Sequence, residues 1–167
     1  MSALSVTDAE LVVTAHGFER LCAELEALRT QQRPALTEQL TAARADRDAD
    51  NPMLFDLLEE QAQVERRIGV LEAQIAAVRV ATPAGDGTAT IGSCVRVRHC
   101  GSGDVAEYDL VGSIESDVGN GRVSVEAPVG RALVGRRPGE TTVVETPRGR
   151  VELEILAVEH VRMKEAA

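Results

Sequence analysis

The chain has 167 residues, with 27 acidic and 18 basic side chains and a formal net charge of -9, so its length allows one ordinary domain or two small ones. Its aromatic side chains are two Phe and one Tyr, with no Trp, which argues strongly against a nucleic-acid surface built on aromatic stacking. The net negative charge argues against a broad phosphate-binding face and suits a partner with a positive or metal-containing cleft.

Targeting and cysteine patterns predict the compartment. No apolar run approaches the ~20 residues that span a bilayer, and residues 1–10 contain neither a basic nor an apolar signal region. The cysteines include no Cys-x-x-Cys pair, which makes a poor disulfide framework; they are Cys22, Cys94 and Cys100. We therefore expect a soluble, cytoplasmic protein. His99 with Cys94 and Cys100 would supply three metal ligands, but the fourth would have to come from distant His16 or His160, so surface or edge-strand positions are the better interpretation.

The first predicted helix depends on an apolar stripe that steps along the chain by three, four and three residues. Its positions are Phe18, Leu21, Leu25 and Leu28, and a shifted stripe follows at Leu36, Leu40 and Ala43. Thr14 is the predicted N-cap. The shift coincides with Pro34, which removes a helical hydrogen bond, so we expect a local bend there.

The second helix is predicted by an unbroken alternation of three- and four-residue spacings, which is a heptad seam of about three and a half repeats. Its positions are Leu54, Leu57, Gln61, Val64, Ile68, Leu71, Ile75 and Val78. A polar stretch that ends in Asn51-Pro52 separates the helices and predicts a turn. Two seamed helices joined by a short turn bury their seams by folding back. Residues 14–80 are therefore predicted to form an antiparallel coiled-coil hairpin with its tip at about residues 45–52.

The second half has a different composition. Residues 81–90 contain Gly and Pro without apolar periodicity, which predicts a linker. In residues 91–160, β-branched runs separated by Gly-containing turns indicate strands; they cover residues 93–99, 107–111, 122–126, 141–145 and 151–158. One short helix is predicted from Pro128 to Gly135. The predicted fold class is therefore α+β, with the helical hairpin followed by a small antiparallel sheet curled over one helix.

One block of the second half resembles a known family. Residues 124–135 are SVEAPVGRALVG, followed by Pro138-Gly139-Glu140 and Thr146-Pro147-Arg148-Gly149. This block resembles the carboxy-terminal signature of the Gre factors, the bacterial transcript cleavage factors. In the hairpin, Gln32-Arg33-Pro34 is similar to the family's Arg-Arg-Pro, and the heptads keep the family's register without a gap. The resemblance spans about residues 14–159.

The resemblance implies a coiled-coil finger that enters the secondary channel of RNA polymerase, with an FKBP-like domain docked at the channel rim. The family's docking contact corresponds to Ser124, Glu126, Ala127 and Pro128. In cleavage-stimulating members, acidic tip residues help to hold a second Mg²⁺ and its attacking water, because Mg²⁺ prefers hard oxygen ligands. The resemblance therefore implies no intrinsic cofactor, only Mg²⁺ shared transiently with the polymerase through Asp48 and Asp50.

The tip departs from the family's pattern. Ungapped alignment places Asp48 on the family Asp but Asn51 on the family Glu. The family's Asn, second Glu and Tyr correspond to Pro52, Leu54 and Phe55. Asn51 offers a neutral oxygen and cannot accept a proton from water, so it is a poor substitute for a metal-positioning carboxylate. Asp46 and Asp50 add acidity at other positions, and a solvated turn would also explain these aspartates.

The expected function is a transcription factor that binds RNA polymerase and occupies its secondary channel, with weak or no stimulation of transcript cleavage. The alternative is a true cleavage factor that uses Asp48 and Asp50 to position Mg²⁺. Any chemistry would belong to the polymerase, so the chain itself is not expected to be an enzyme. It would meet nucleic acid only inside the transcription complex.

Two rivals come from other functional classes. A peptidyl-prolyl isomerase needs a proline pocket lined by several aromatic side chains, and this domain has only Tyr108. A dimerising coiled-coil adapter needs a second apolar seam, but the outer helix faces carry Glu, Gln and Arg. The intramolecular hairpin is therefore preferred, and we expect a monomer that does not contact membranes.

Overall fold

A computed structural model of the chain describes residues 11–45, 52–82 and 85–160. Its helices are α1 (Ala15–Ala27), which continues through a π-helical segment (Leu28–Gln32) into α2 (Arg33–Ala45), then α3 (Pro52–Ala77) and α4 (Pro128–Leu133). The strands are β1 (Leu11–Val13), β2 (Val78–Val80), β3 (Ser93–His99), β4 (Val105–Val111), β5 (Arg122–Ser124), β6 (Thr141–Thr146) and β7 (Gly149–His160). The predicted α+β class is confirmed. No helix within these described ranges is long and apolar enough to cross a bilayer.

Backbone packing divides the chain into two compact units. The first is the helical hairpin, Phe18–Ala77. The second, here called the sheet unit, contains the described residues up to Gly17 and from Val78 onward. Residues 14–17 and 78–80, which the sequence analysis included in the hairpin, therefore pack with the sheet unit.

The hairpin is held together by the predicted seam. All predicted seam positions of α3 are buried or half-buried. Val64, Ile68 and Leu71 form one buried cluster with Leu28 and Leu36 of the first arm. The predicted coiled-coil hairpin is confirmed, because the heptad spacing brings these side chains to one face of each arm.

The π-helical segment keeps the first arm in register with the seam. Leu28 and Leu36 are eight residues apart, and in a straight α-helix this spacing would rotate Leu36 about 80° away from Leu28. The wider turn absorbs the extra residue, because the N–H of Arg33 donates to the carbonyl of Leu28, five residues earlier. Pro34 follows directly and has no N–H to donate. At the place where we expected a local bend, the structure has a widened helical turn.

Exposed ion pairs link the two arms of the hairpin. They join Arg29 to Glu72, Arg33 to Glu65, and Arg67 to Glu24. The Nε of Arg33 lies 2.6 Å from Oε1 of Glu65, and this hydrogen bond lowers the pKa of the Glu65 carboxyl. Because exposed pairs add little net stability, burial of the seam contributes most to the stability of the hairpin.

The sheet unit contains a five-stranded sheet in the order β5-β4-β3-β7-β6. Its core is formed by Ala89, Val95, Val97, Leu110, Leu133, Val144, Leu153 and Ile155. The predicted all-antiparallel sheet is wrong at one edge, because β5 pairs parallel to β4, with Leu110 opposite Val123. The β4–β5 connection contains two short 3₁₀ turns, Ser113–Glu115 and Val118–Asn120. They return the chain to the level of Asp109, so that Arg122 begins β5 in the same direction as β4, which a tight hairpin turn does not do.

A small parallel sheet, which the sequence analysis did not predict, joins β1 to β2. Leu11 lies opposite Val78 and Val13 opposite Val80, and the N–H of Ala81 donates to the carbonyl of Val13 at 2.8 Å. The segments before α1 and after α3 are therefore paired with each other.

Residues 81–90 were predicted to be a linker, and the last part of this stretch is packed into the sheet unit. Ala89 is fully buried. Its N–H donates to the carbonyl of Arg136 at 2.8 Å, and its carbonyl accepts the N–H of Gly135 at 2.7 Å. A freely moving connection would therefore have to lie before Ala89.

Candidate functional site

Residues 124–128 connect β5 to α4; they contain the contact that the family resemblance predicts, and are called the docking loop below for that prediction. Ser124 is buried; its Oγ accepts the N–H of Glu126 at 3.1 Å, and its carbonyl accepts the N–H of Ala127 at 3.0 Å. Glu126 and Pro128 are exposed, whereas Ala127 is half-buried. The loop therefore exposes a carboxylate and a pyrrolidine ring to solvent, and Ser124 shapes the backbone that carries them.

The first turn of α4 packs closely against the backbone of the docking loop. Pro128 is the first residue of α4, a position where no N–H is needed. A Cβ at Gly130 would lie 2.0 Å from the carbonyl oxygen of Ser124 and 2.8 Å from the Cα of Val125. Only glycine permits this approach of helix to strand. Leu133 is fully buried and anchors α4 in the core, so the loop geometry is tightly constrained.

The predicted tip site, Asp46, Asp48, Asp50 and Asn51, lies outside the described residues. On either side of it, α2 ends at Ala45 and α3 begins at Pro52. The first turn of α3 exposes Phe55, the residue that aligns with the family's Tyr, by 67%. The chemistry of the tip's donors fits a shared Mg²⁺, because carboxylate oxygens are the ligands that this ion prefers.

Cys94, His99 and Cys100, for which the sequence favours surface or edge-strand positions over a metal site, lie in or directly after β3. Within residues 11–45, 52–82 and 85–160, no three His, Cys, Asp or Glu side chains lie where they could hold one metal ion. Cys94 lies in β3 opposite Asp109; burial and a hydrogen bond to Asp109 raise the pKa of its thiol to about 12. Because metals bind the thiolate, this protonated thiol is a poor ligand. Cys100 is exposed in the turn after β3.

Tyr108 is the aromatic residue that a proline pocket of an isomerase would use, and it packs in the interior of the sheet unit. Tyr108 lies in β4, is half-buried and packs against the core cluster. Its ring therefore contributes to packing of the sheet.

The sequence analysis assigned no role to Glu115, although this carboxylate is buried in the connection that precedes β5. It accepts hydrogen bonds from Thr14 at the start of α1. A sequence signal was present, because Gly17 lies in the first turn of a helix, where glycine is unfavourable unless another group approaches closely.

Comparison with known proteins gives the family. The family model "Transcription elongation factor, N-terminal" matches residues 11–80, and "Transcription elongation factor, GreA/GreB, C-term" matches residues 84–160. Transcription elongation factor GreA of Ralstonia nicotianae is 35% identical over 153 residues, which cover 89% of this chain and 97% of the relative. The chain belongs to the GreA/GreB family. GreA of Anaeromyxobacter sp. (strain K) is 37% identical over 153 residues, covering 89% of this chain and 92% of that protein.

Solved structures of Gre-type proteins also match this member of the GreA/GreB family. The crystal structure of GreA factor homolog 1 (Gfh1) of Thermus thermophilus is 27% identical, with a TM-score of 0.42, and the match covers 90% of this chain and 99% of that one. The resemblance inferred from residues 124–149 is confirmed by the family models and the relatives. The protein is a Gre-family transcription elongation factor.

Proposed function

We propose that this Gre-family factor docks on RNA polymerase through the docking loop, inserts its helical hairpin into the secondary channel, and occupies the channel with weak or no stimulation of transcript cleavage. The observation that carries the proposal is the tip sequence, in which only Asp48 aligns with the family's acidic residues. Occupying the channel requires the hairpin and the docking loop, and both are present in the chain. Stimulating cleavage also requires correctly placed carboxylates at the tip.

The size of the expected defect follows from the chemistry at Asn51. When bound at the tip, Mg²⁺ would lower the pKa of an attacking water and stabilise charge on the scissile phosphate. Asp48 and Asp50 are the residues that would attract it, but Asp50 lies one residue before the position of the family's Glu, which is Asn51 here. Asn51 can accept a hydrogen bond from the water but cannot take its proton. Loss of one positioning carboxylate corresponds to a few kcal/mol, on the order of 10² to 10³ in rate.

A second candidate function is supported by the relatives, because those at 35–37% identity are named GreA. In this alternative the chain is a true cleavage factor, and Asp50 supplies the second carboxylate from one residue earlier in the turn. The two candidates differ in one measurable quantity, the rate of transcript cleavage in a backtracked complex.

The deciding experiment measures RNA cleavage in a stalled, backtracked transcription complex, with the factor alone and beside a cleavage-competent Gre factor. The proposal predicts little cleavage by the factor alone and antagonism of the competent factor. Replacement of Asn51 by Glu together with Pro52 by Asn should raise cleavage above that of the parent. Strong Mg²⁺-dependent cleavage by the parent, abolished by Asp48→Ala or by Asp50→Ala, would establish the alternative.

Docking is tested by replacing the two exposed residues of the loop together, Glu126→Ala with Pro128→Ala. Because neither side chain is buried, the melting temperature should stay within about 2 °C of the parent. Polymerase affinity should fall roughly tenfold or more. The matched control is Glu152→Ala with Pro138→Ala, which replaces an exposed Glu and an exposed Pro outside the loop. Equal affinity of both double variants would refute the docking assignment.

We also propose that the factor acts as a monomer, because the apolar seam of the hairpin is buried between two arms of one chain. The outer faces of the arms are exposed and rich in Glu, Gln and Arg. Light scattering should give a mass near 17.8 kDa, and a stable mass of twice that value would contradict the proposal.

A further inference from the structure

The carboxylate of Glu115 is buried and accepts three hydrogen bonds. Its side chain is 5% exposed. One oxygen, Oε2, accepts the N–H of Thr14 at 2.8 Å and the N–H of Gly112 at 3.2 Å, and the other, Oε1, accepts the Thr14 hydroxyl at 2.5 Å. Nη2 of Arg122 lies 3.6 Å from Oε1, so the charge also has a cationic partner. Removing this carboxylate would leave polar groups unpaired in the interior.

Through Thr14, Glu115 acts on the start of α1. Thr14 is the N-cap predicted from the sequence, because its Oγ1 accepts the N–H of Gly17 at 3.0 Å. The hydroxyl hydrogen remains free to donate to Glu115. One threonine side chain therefore links the first turn of the helix to a carboxylate 101 residues away in the chain.

Two glycines allow this close approach. A Cβ at Gly17 would lie 2.1 Å from Oε1 of Glu115, and a Cβ at Gly112 would lie 2.0 Å from the carbonyl oxygen of Val12. Both distances are shorter than any contact that a real Cβ makes. The carboxylate opposite Gly17 is held by several donors, so it cannot move aside without breaking those bonds. A methyl group at Gly17 would therefore displace Glu115.

Glu115 also contacts the strand that carries the docking loop. Arg122 is the first residue of β5, and the loop begins where this strand ends, at Ser124. The backbone of Arg122 is fixed by two hydrogen bonds with Asp117, both 2.9 Å long. Glu115 therefore accepts hydrogen bonds from the N-cap of α1 on one side and forms an ion pair with the first residue of β5 on the other.

We propose that Glu115 is a positioning residue that holds the N-cap of α1 and its first turn as far as Gly17 to β5, the strand that precedes the docking loop. The proposal rests on the proposed function, because it assigns Glu115 a role in how a docked factor acts. Without the carboxylate the docking loop still binds the polymerase. The maximal effect of the bound factor is then lower, because the first turn of α1 is no longer anchored.

The test uses Gly17→Ala, Glu115→Ala and the double variant. Gly17→Ala adds one methyl group against the carboxylate and removes no donor or acceptor. The matched control is Gly69→Ala in α3, where a Cβ would have no neighbour within 4 Å. Both glycine substitutions raise intrinsic helix propensity, so a loss confined to Gly17→Ala reports the contact with Glu115. Glu115→Gln, which keeps one acceptor oxygen, is the conservative variant.

The effect measured with the transcription complex is the antagonism of a cleavage-competent Gre factor. Two quantities describe it: the concentration of this factor that gives half of the antagonism, and the maximal antagonism at saturation. A docking defect changes the first and a positioning defect the second. For Gly17→Ala and Glu115→Ala we expect a maximal effect lowered roughly fivefold or more, with the half-effect concentration within about twofold of the parent. Glu115→Gln should recover part of the effect. Adding Gly17→Ala to Glu115→Ala should cause no further loss, since the clashing group is gone.

A parallel measurement on the free protein separates this proposal from the proposed function. Amide hydrogen exchange at Thr14 should be roughly tenfold faster in Gly17→Ala and Glu115→Ala than in the parent or Gly69→Ala. If the parent neither binds polymerase nor affects transcription, the proposed function fails and the exchange rates still decide whether Glu115 holds α1. Unchanged exchange in Gly17→Ala, an unchanged maximal effect, or multiplying losses in the double variant would each overturn the proposal.

Discussion

Replacement of Pro34 by Ala tests what determines the π-helical turn in the first arm. If the proline alone imposes the wide turn, restoring the N–H should convert residues 28–32 to α-helix. If packing of the seam imposes it, the turn should persist in the variant. The free energy of seam packing and the free energy of the restored hydrogen bond differ in size, so the structure predicts which of the two causes dominates.

Conversion to α-helix would rotate Leu36 and Leu40 away from the seam. These side chains are 5% and 3% exposed, and burying one leucine contributes about 1.5–3 kcal/mol, so losing both would cost about 3–6 kcal/mol. The hydrogen bond gained in return contributes about 0.5–1.5 kcal/mol. Seam packing therefore dominates, and Pro34→Ala should keep the π turn and change the free energy of unfolding by less than about 1 kcal/mol.

The assay is urea unfolding followed by far-UV circular dichroism, with nuclear Overhauser contacts between Leu36 and the α3 members of its buried cluster as the report on the seam. Leu36→Ala is the matched control and should lose about 2–5 kcal/mol. The reasoning is refuted if Pro34→Ala destabilises the protein as much as the control does. Loss of the contacts between Leu36 and α3 in a folded Pro34→Ala variant would refute it as well.

Three further predictions concern other parts of the fold. Because burial and Asp109 raise the pKa of Cys94 to about 12, iodoacetamide should alkylate this thiol roughly 10³-fold more slowly in the folded protein than in urea; equal rates by mass spectrometry would contradict this. Arg33 lowers the pKa of Glu65, so the pair stabilises the hairpin above the ordinary carboxyl pKa of ~4.3 and loses this contribution as pH falls through the lowered folded-state value. Arg33→Ala should reduce the acid dependence of stability, and an unchanged pH slope would disprove the link. Gly130→Ala places a methyl group 2.0 Å from a backbone oxygen and should cost about 1–3 kcal/mol in urea unfolding, whereas a neutral effect would show that α4 can shift.

Hydrophobic spacing was sufficient to predict the helical part of this fold. The alternation from Leu54 to Ile75 places all the seam side chains on one face of a helix, and this holds whichever segment packs against that face. The predicted seam positions of α3 are therefore buried or half-buried in the structure. Gly and Pro residues likewise mark where strands end. The family signature in residues 124–149 then identified the fold of the second half, because its glycine and proline positions reflect specific backbone contacts, whereas the docking role of residues 124–128 stays a prediction.

Other features depend on information that spacing does not contain. The direction of β5 relative to β4 is set by the path of their connection, and a three-residue strand carries no direction signal of its own. Leu11–Val13 and Val78–Val80 are too short to be distinguished from helix ends, and their pairing joins residues far apart in sequence. The role of Glu115 appears only when three separate segments meet. The chemistry of Asp48 and Asp50 stays a prediction, since these residues lie outside the described part of the chain.

The pairing of β1 with β2 has a geometric consequence for the length of the hairpin. Neighbouring strands are about 4.8 Å apart, and Val78 lies opposite Leu11, two residues before the end of β1, so the chain enters and leaves the helical segment at points roughly 8 Å apart. An insertion whose two ends are this close can change length without displacing the strands on its carboxy-terminal side. Seven residues added to each arm would extend the hairpin by about 10.5 Å and leave the register of β3 to β7 unchanged. A set of variants lengthened or shortened by whole heptads would therefore change the length of the hairpin alone, so that any dependence of the factor's effect on this length measures how long a hairpin that effect requires.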